Sequence, residues 1–260
     1  MVDSTDSPAE VVDGLVTAFV ERGARADGEV GKLARWLTGA GVDVVWASKK
    51  QLDRRMLTVG ARTLAVGGLP FMASALGQLG ISLPAPDDYP SALSQYFRRR
   101  IWPTTVGQLR AVLAEGEPVF AKPRTSRKRF TGRVFADAGG WPLPTMPSGL
   151  ELWCSDPVAW QSEFRVFVAH GRVLGVRWYD GDPAIEPDEK TIRDCVAALG
   201  TKVDGYAFDV GVLDSGATAV VEVNDGFAIG TYGLEADAVA RVLVARWKQL
   251  VRDASGSAHA

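Results

Sequence analysis

The sequence predicts an α/β region followed by an α+β region. Two short β-branched runs, Val42 to Ala47 and Thr63 to Val66, alternate with helical patterns in the first part of the chain, which is typical of α/β folds. A break rich in proline and aspartate, residues 84–90, ends that part. Two later strand-like runs, 206–213 and 218–224, predict the antiparallel hairpin of an α+β fold.

Composition excludes several kinds of catalytic chemistry. The chain has 260 residues, 47% hydrophobic and 23% charged, with a net charge of −2, as is usual for a folded protein. It contains only two His and two Cys residues. A Ser–His–Asp or Cys–His nucleophile would have to use His170, because His259 lies in the polar C-terminal tail. A Cys/His zinc site would need carboxylates to complete its ligands. We therefore expect chemistry that rests on carboxylates, Lys and Arg.

The cysteines and the hydropathy pattern bear on location. Cys154 and Cys195 are typical of reduced thiols in a cytosolic protein. The N-terminal residues lack the apolar core of a signal peptide, and no apolar run reaches the roughly 18 residues of a membrane helix. The sequence thus predicts a cytoplasmic protein with no membrane partner.

The remaining elements follow from local patterns. Val11 to Arg22 has apolar residues at helical spacing and no strand-like alternation, so it predicts a helix. Thr104 to Ala114 predicts a helix that begins at a Thr104 or Thr105 cap. Further strands are predicted at 118–121, 150–154, 164–168 and 172–179, and further helices at 188–199 and 235–251.

A basic segment follows the strand at 118–121. Lys122 to Arg133 holds six basic residues among twelve and no acidic one, so it needs an anion such as phosphate, nucleic acid or a membrane surface, or it is a solvated loop. No GxxxxGK[ST] sequence occurs, which excludes a P-loop. Nucleic acid is the weaker alternative, because Phe130 is the only aromatic residue of the segment and the whole chain is mildly acidic.

A charged pair lies on the strand at 164–168. Glu163 and Arg165 share one face with Phe167, an arrangement that is common on an exposed strand face. The break that precedes this strand, Ser155 to Val158, could expose backbone hydrogen-bonding groups to a ligand.

The hairpin at 206–224 carries opposed carboxylates. If Ser215 and Gly216 form a two-residue turn, Asp209 lies directly opposite Glu222, and Asn224 shares the face of Glu222. Two like charges in that position destabilise a sheet, and Mg²⁺, which prefers oxygen ligands, would neutralise them. We therefore expect Asp209→Asn or Glu222→Gln to leave the fold intact. The alternative is a set of solvent-facing polar residues.

These elements, in this order, resemble the ATP-grasp superfamily from Arg98 to Ala240, through the FAKP strand end, KRFTG, SEFRVF and DVGV-x9-EVN. The resemblance implies an ATP-grasp fold of two α+β subdomains preceded by a Rossmann-like domain. The implied boundaries are 1–92 for the Rossmann-like domain, 93–150 for the small subdomain, 151–252 for the metal-binding subdomain and 253–260 for a tail.

The resemblance also implies roles for individual residues. The implied ATP ligands are Arg100, Lys122, Lys128, Ser155, Asp156, Val158 and Glu163. The implied metal ligands are Asp209, Glu222 and Asn224, with Mg²⁺ as the metal. Gly226 and Gly230 would let the backbone approach a substrate.

The implied activity is an ATP- and Mg-dependent ligase that joins a small-molecule carboxylate to an amine through an acylphosphate, with Arg165, Arg177 and Lys128 as catalytic residues. Peptide-type ligases of the superfamily often place an Arg where this chain has Ala207, so Arg165 or Arg177 would have to replace it. The alternatives are an ATP-dependent kinase or a non-catalytic module that binds nucleotide or nucleic acid. Trp141 or Trp160 would belong to a homodimer interface or to the core.

Overall fold

A computed structural model describes residues 6–23, 28–124 and 129–257. The helices are α1 (Pro8–Val11), α2 (Glu29–Gly39), α3 (Lys49–Asp53), α4 (Leu69–Gln78), α5 (Val106–Leu113), α6 (Glu189–Leu199) and α7 (Ala236–Ser257). The strands are β1 (Thr17–Glu21), β2 (Asp43–Ala47), β3 (Thr63–Val66), β4 (Ile101–Thr105), β5 (Val119–Pro123), β6 (Arg133–Phe135), β7 (Glu151–Ser155), β8 (Trp160–Ala169), β9 (Arg172–Gly181), β10 (Gly205–Leu213) and β11 (Thr218–Asp225). Two 3₁₀ turns span Ser91–Tyr96 and Leu143–Thr145.

The first sheet is parallel, with the strand order β2-β1-β3. The helix predicted over Val11 to Arg22 is wrong, because β1 occupies most of that range. Its Ala18, Phe19 and Val20 are all buried, since a central parallel strand is covered on both faces. Burial on both faces removes the alternation by which a half-exposed strand is recognised, so the spacing alone misled the prediction.

The second sheet is antiparallel, with the order β11-β10-β8-β9. Phe208, Val210 and Val166 on one face pack in a core with α6. On the opposite face, Phe167 and Ala207 join the core that α7 and the first sheet share. Helix α7 ends at Ser257, beyond the predicted end at residue 251. This second face becomes polar away from α7, where Arg165 and Asp209 lie.

The third sheet is antiparallel, with the order β4-β7-β5-β6. Helix α5 begins at Thr105, whose side chain accepts a hydrogen bond from Gln108 N–H in a capping box, as predicted. Leu109 and Leu113 of this helix pack on Ala121 and Leu152. The basic segment connects β5 to β6, so its charged residues follow directly from a strand of this sheet.

The second and third sheets meet where β5 approaches β11, and the residues after α4 cross this junction. Asp88 O accepts a hydrogen bond from Val223 N–H at 2.9 Å, on the outer edge of β11. Lys122 of β5 contacts Glu222 of β11. In the part of the chain that the structure describes, no helix is long and apolar enough to span a membrane.

Candidate functional site

The β10–β11 hairpin brings its carboxylates together as predicted. Asp209 is paired directly with Glu222, which confirms the register at this point. The loop nevertheless holds three residues, because Leu213 N–H donates to Ala217 O and Gly216 adopts φ 79°. A β-bulge at Val221 then shifts the pairing by one residue and restores the predicted alignment.

Asp209 is buried, with 2% exposure, and forms an ion pair with Arg165 of the neighbouring strand. Arg165 Nε and Nη2 each donate to one oxygen of Asp209 at 2.7 Å, the two-bond geometry of a strong guanidinium–carboxylate pair. Burial raises the pKa of the Asp209 carboxyl, and the bonds from Arg165 oppose that rise. Asn224 Nδ2 donates to Asp209 Oδ2 at 3.3 Å, so Asn224 Oδ1 is left as an acceptor. Arg165 therefore orients the acid.

Lys122 joins the third sheet to the hairpin. Its Nζ lies 2.5 Å from Glu222 Oε2 and 2.6 Å from Asp88 Oδ2, and 4.7 Å from the centre of the Tyr89 ring. Burial opposes the charged form of Lys122, but the two carboxylates raise the pKa of its ammonium overall. A cation held this way is ready to bind a phosphate that displaces a carboxylate.

Glu163 and two tyrosines lie beside the Arg165–Asp209 pair. Tyr179 OH donates to Glu163 Oε2 at 2.7 Å, and burial raises the pKa of the Glu163 carboxyl. The Tyr179 and Tyr232 rings stack with centres 5.0 Å apart, and the Arg165 guanidinium carbon lies 5.0 Å from the centre of the Tyr232 ring. This aromatic wall shields the ion pair on one side.

The other predicted ATP ligands lie at the end of β7. Arg100 pairs with Asp156 at 2.8 Å and stacks on Trp102, while Ser155 Oγ donates to Asp156 O at 3.1 Å. Val158 follows in the segment between β7 and β8. The structure thus groups Arg100, Ser155 and Asp156 at the third sheet, apart from the ion pairs of the second sheet.

Three further predictions concern basic residues and a close approach. Arg177 faces Arg165 across β8 and β9, and its Nη1 donates to Val176 O at 3.0 Å. Lys128 lies outside the described residues. Gly226 packs against the backbone of Gly205, where a Cβ would clash, so its predicted role at a substrate is wrong and its small size serves packing.

Thiol and imidazole chemistry have no place near these residues. Cys154 and Cys195 are buried free thiols, and burial raises the pKa of each to about 12. His170 is exposed in the β8–β9 turn with φ 49°. Ala207, where an Arg was considered, is fully buried opposite Asn224, so only a small side chain fits there.

The donor atoms fit a magnesium ion that phosphates also bind. Among the described residues, no group of three or more His, Cys, Asp and Glu side chains is placed to hold a metal alone. Asp209, Glu222 and Asn224 nevertheless offer two carboxylates and an amide oxygen within one hairpin. Mg²⁺ commonly takes one or two carboxylates and completes its octahedron with phosphate oxygens and water. These three residues could therefore hold Mg²⁺ together with a nucleotide.

Several site residues were not found from the sequence. Asp88 and Tyr89 lie in the proline-rich break, which predicts a linker and nothing more. Arg99 belongs to an arginine-rich stretch, but its hydrogen bonds to Val220 O and Val221 O depend on a bulge that no sequence pattern announces. The missed residues share one property: each reaches the site from an element distant in sequence.

A comparison with family models matches residues 96–242, more than half of the chain, to an ATP-grasp domain family, the second family of its clade. No sequence among the curated proteins matches.

Solved structures match over nearly the full length. A RimK domain ATP-grasp protein from Sphaerobacter thermophilus is 17% identical, with a TM-score of 0.57 over 90% of this chain and 98% of that one. D-alanine–D-alanine ligase from Bacillus anthracis is 14% identical, with a TM-score of 0.56 over 94% and 99%. D-cycloserine synthetase DcsG is 13% identical, with a TM-score of 0.57 over 90% and 99%. At these identities the likeness concerns the fold, and it confirms the predicted fold class.

Proposed function

Because the chain belongs to the ATP-grasp family, we propose that it is an ATP- and Mg-dependent ligase that joins a carboxylate to an amine. One observation carries the proposal: Lys122–Glu222 and Arg165–Asp209 place two cations and two acids at one junction of sheets. Phosphoryl transfer requires positioned cations and a magnesium site more than it requires a general base. Matched structures of this fold include a D-alanine–D-alanine ligase with ATP and the ligase PsnB with Mg and ADP.

The proposed reaction has two steps. A carboxylate oxygen of the first substrate attacks the γ-phosphorus of ATP, and the bond to ADP breaks with its electron pair on ADP. The amine nitrogen then attacks the acyl carbon, the carbon–oxygen bond to phosphate breaks, and the nitrogen loses a proton. An acylphosphate is already activated, which agrees with the absence of a buried His near the described site residues.

The residues of this chain would share the work. Lys122 would bind phosphate, as would Arg100 and Lys128 from their own segments. Bound Mg²⁺ would neutralise phosphate charge between Asp209, Glu222 and Asn224. Ser155, Asp156 and Val158 would border the adenine, and Glu163 would bind ribose hydroxyls.

Arginines would complete the site. Arg165 spends Nε and Nη2 on Asp209, so its remaining Nη1 is the atom that could bind a substrate carboxylate or the γ-phosphate. Arg177, directly across the strand, would supply a second positive charge at the developing oxyanion.

The test is ADP release with each of the proteinogenic amino acids as the acid and hydroxylamine as the amine. We expect at least one acid to give ADP and the corresponding hydroxamate in equal amounts, because hydroxylamine traps an acylphosphate. Glu222→Gln should reduce this rate by about 10²-fold or more, since it removes one metal ligand. The exposed Glu186→Gln variant, matched in chemistry, should be unaffected.

Two outcomes would contradict the ligase. ADP formed at the same rate without hydroxylamine, with a stable phosphorylated product, would identify the alternative kinase. ATP binding by calorimetry without any turnover would identify a non-catalytic module.

A further inference from the structure

A cavity of about 380 Å³ opens beside the first sheet, outside the residues assigned to ATP and metal. Glu21 and Val66 mark the ends of β1 and β3 in its wall, and α2, α7 and the segment 227–231 complete it. It therefore lies at the carboxyl ends of parallel strands, where open α/β sheets bind ligands. Its volume is within the range of small-molecule sites.

The interior of the cavity is apolar. Its lining includes Val30, Leu33, Met72, Phe227, Ile229 and Leu243. Such a surface favours a ligand with a hydrocarbon body, because burying apolar area is favourable and burying an unpaired polar group is costly.

The rim of the cavity carries two fixed carboxylates. Glu21 Oε2 accepts a hydrogen bond from Gly68 N–H at 2.7 Å, and its Oε1 has no partner within the described ranges. Glu29 Oε1 accepts from Gly233 N–H at 2.6 Å. Arg22, the basic residue of the lining, directs its Nε to Trp46 O. The two acids held by backbone N–H groups favour a cationic group at the mouth.

Two polar atoms in the cavity wall lack protein partners. Thr231 and Trp247 line the cavity, and Thr231 Oγ1 and Trp247 Nε1 are buried with no hydrogen bond among the residues described. Trp247 is 2% exposed. Buried donors and acceptors are normally satisfied, so a ligand with a hydrogen-bonding oxygen is the expected partner.

The cavity shares a wall with the ion-paired site. Gly230 lines the cavity, and its carbonyl oxygen lies 3.5 Å from Arg165 Nη1. Two residues further on, the Tyr232 ring stacks on the same guanidinium. A molecule in the cavity is therefore separated from Arg165 by a single stretch of backbone.

We propose that this cavity binds the amine substrate, as a primary ammonium on an apolar body that also carries a hydrogen-bonding oxygen. Glu21 and Glu29 bind the ammonium, the apolar lining binds the body, and Thr231 and Trp247 bind the oxygen. That the ligand is a substrate rests on the proposed function, whereas its binding does not.

The test uses three matched probes and calorimetry on the full chain without ATP. Leucinamide carries ammonium, carbonyl and apolar body; 4-methylpentanamide lacks only the ammonium; 4-methylpentanoate carries a carboxylate instead. We expect leucinamide to bind at least about tenfold more tightly than either, since a charge-assisted hydrogen bond is worth that ratio. Glu21→Gln should abolish the preference, and the exposed Glu235→Gln, outside the lining, should keep it.

A second pair of variants tests the indole. Trp247→Phe should weaken leucinamide binding by roughly five- to tenfold by removing one donor, whereas Trp141→Phe, at a residue 69% exposed, should not. Unchanged binding in Trp247→Phe would show that water satisfies this atom and would overturn its role.

The remaining outcomes also decide. Tighter binding of 4-methylpentanoate would overturn the amine assignment in favour of an acid. No binding of any probe, in a protein that forms hydroxamate, would overturn the cavity proposal alone. Leucinamide binding in a protein without ATP turnover would instead overturn the ligase and leave the cavity as a binding site.

Discussion

Each acid of the site is held by a different cation, and the two pairings differ in what a substitution would do. Asp209 is buried and gives both oxygens to Arg165, so Asp209→Asn would leave a buried guanidinium poorly paired, at a cost of about 3–5 kcal/mol. We therefore expect this substitution to destabilise the fold, against the expectation from the sequence alone. Glu222 is less buried, and its partner Lys122 also contacts Asp88, so Glu222→Gln leaves the lysine paired.

Glu163 makes stability depend on pH. Burial raises the pKa of its carboxyl above 4.5, so the folded state binds the proton more tightly than the unfolded chain. The ionised form thus costs stability at neutral pH, and this cost disappears as the pH falls through the folded pKa. Glu163→Gln keeps an acceptor for Tyr179 OH and should raise Tm by at most a few °C at about pH 7, with no gain below about pH 4.5.

Thermal unfolding at several pH values checks this expectation. Glu186→Gln, at an exposed position, serves as the matched control. A lower Tm for Glu163→Gln at neutral pH, or a gain of equal size in acid, would contradict it.

At residue scale the sequence predicted contacts within an element and missed those between elements. Asp209 faces Glu222 because strand alternation and one hairpin fix both residues. The contact between Lys122 and Glu222 spans 100 residues and depends on how two sheets pack, which no local pattern encodes.

At the scale of elements, the β-bulge at Val221 aligns the site and needs support. A bulge leaves backbone groups without ladder partners, and Arg99 satisfies three carbonyls there, Phe97 O, Val220 O and Val221 O, at 3.0, 2.8 and 2.9 Å. Arg99 thereby fixes the strand segment that presents Glu222.

Replacing Arg99 should unfold this alignment in a graded way. Arg99→Met should lower the free energy of unfolding by about 2–4 kcal/mol, because it leaves partly buried carbonyls unpaired. Arg99→Lys, which keeps the charge but cannot reach all three carbonyls in one plane, should fall between it and the wild type. Urea unfolding measures both; an Arg99→Met variant as stable as wild type would contradict the clamp.

Elements also show why hairpins were easier to predict than the first strand. The strands β8 to β11 alternate and are joined by short turns such as His170-Gly171, whose φ values of 49° and 71° suit a tight turn. Strand β1 is covered on both faces, so its sequence lacks that alternation.

At the scale of the whole molecule, the segment at 84–90 links all three sheets. It leaves the first sheet through α4, hydrogen-bonds β11 through Asp88 O, and contacts β5 through the Asp88 carboxylate. The sequence predicted a linker from its prolines, but its contact with the site arises from the assembled fold. The Asp88 side chain occupies the ammonium that would bind phosphate.

Asp88 should therefore oppose nucleotide binding. Asp88→Asn keeps the backbone bond to Val223 N–H, removes a negative charge 2.6 Å from Lys122 Nζ, and should tighten ATP binding about fivefold. Burial raises the pKa of the Asp88 carboxyl, so a neutral amide there should not destabilise the fold. Asp87→Asn removes the same charge from the adjacent exposed residue and should change ATP affinity less than twofold at about 0.15 M salt. Calorimetric titration with ATP and Mg²⁺ measures both variants. Weaker binding in Asp88→Asn would show that the carboxylate helps to place Lys122 for the nucleotide, and equal gains in both variants would show that only net charge matters.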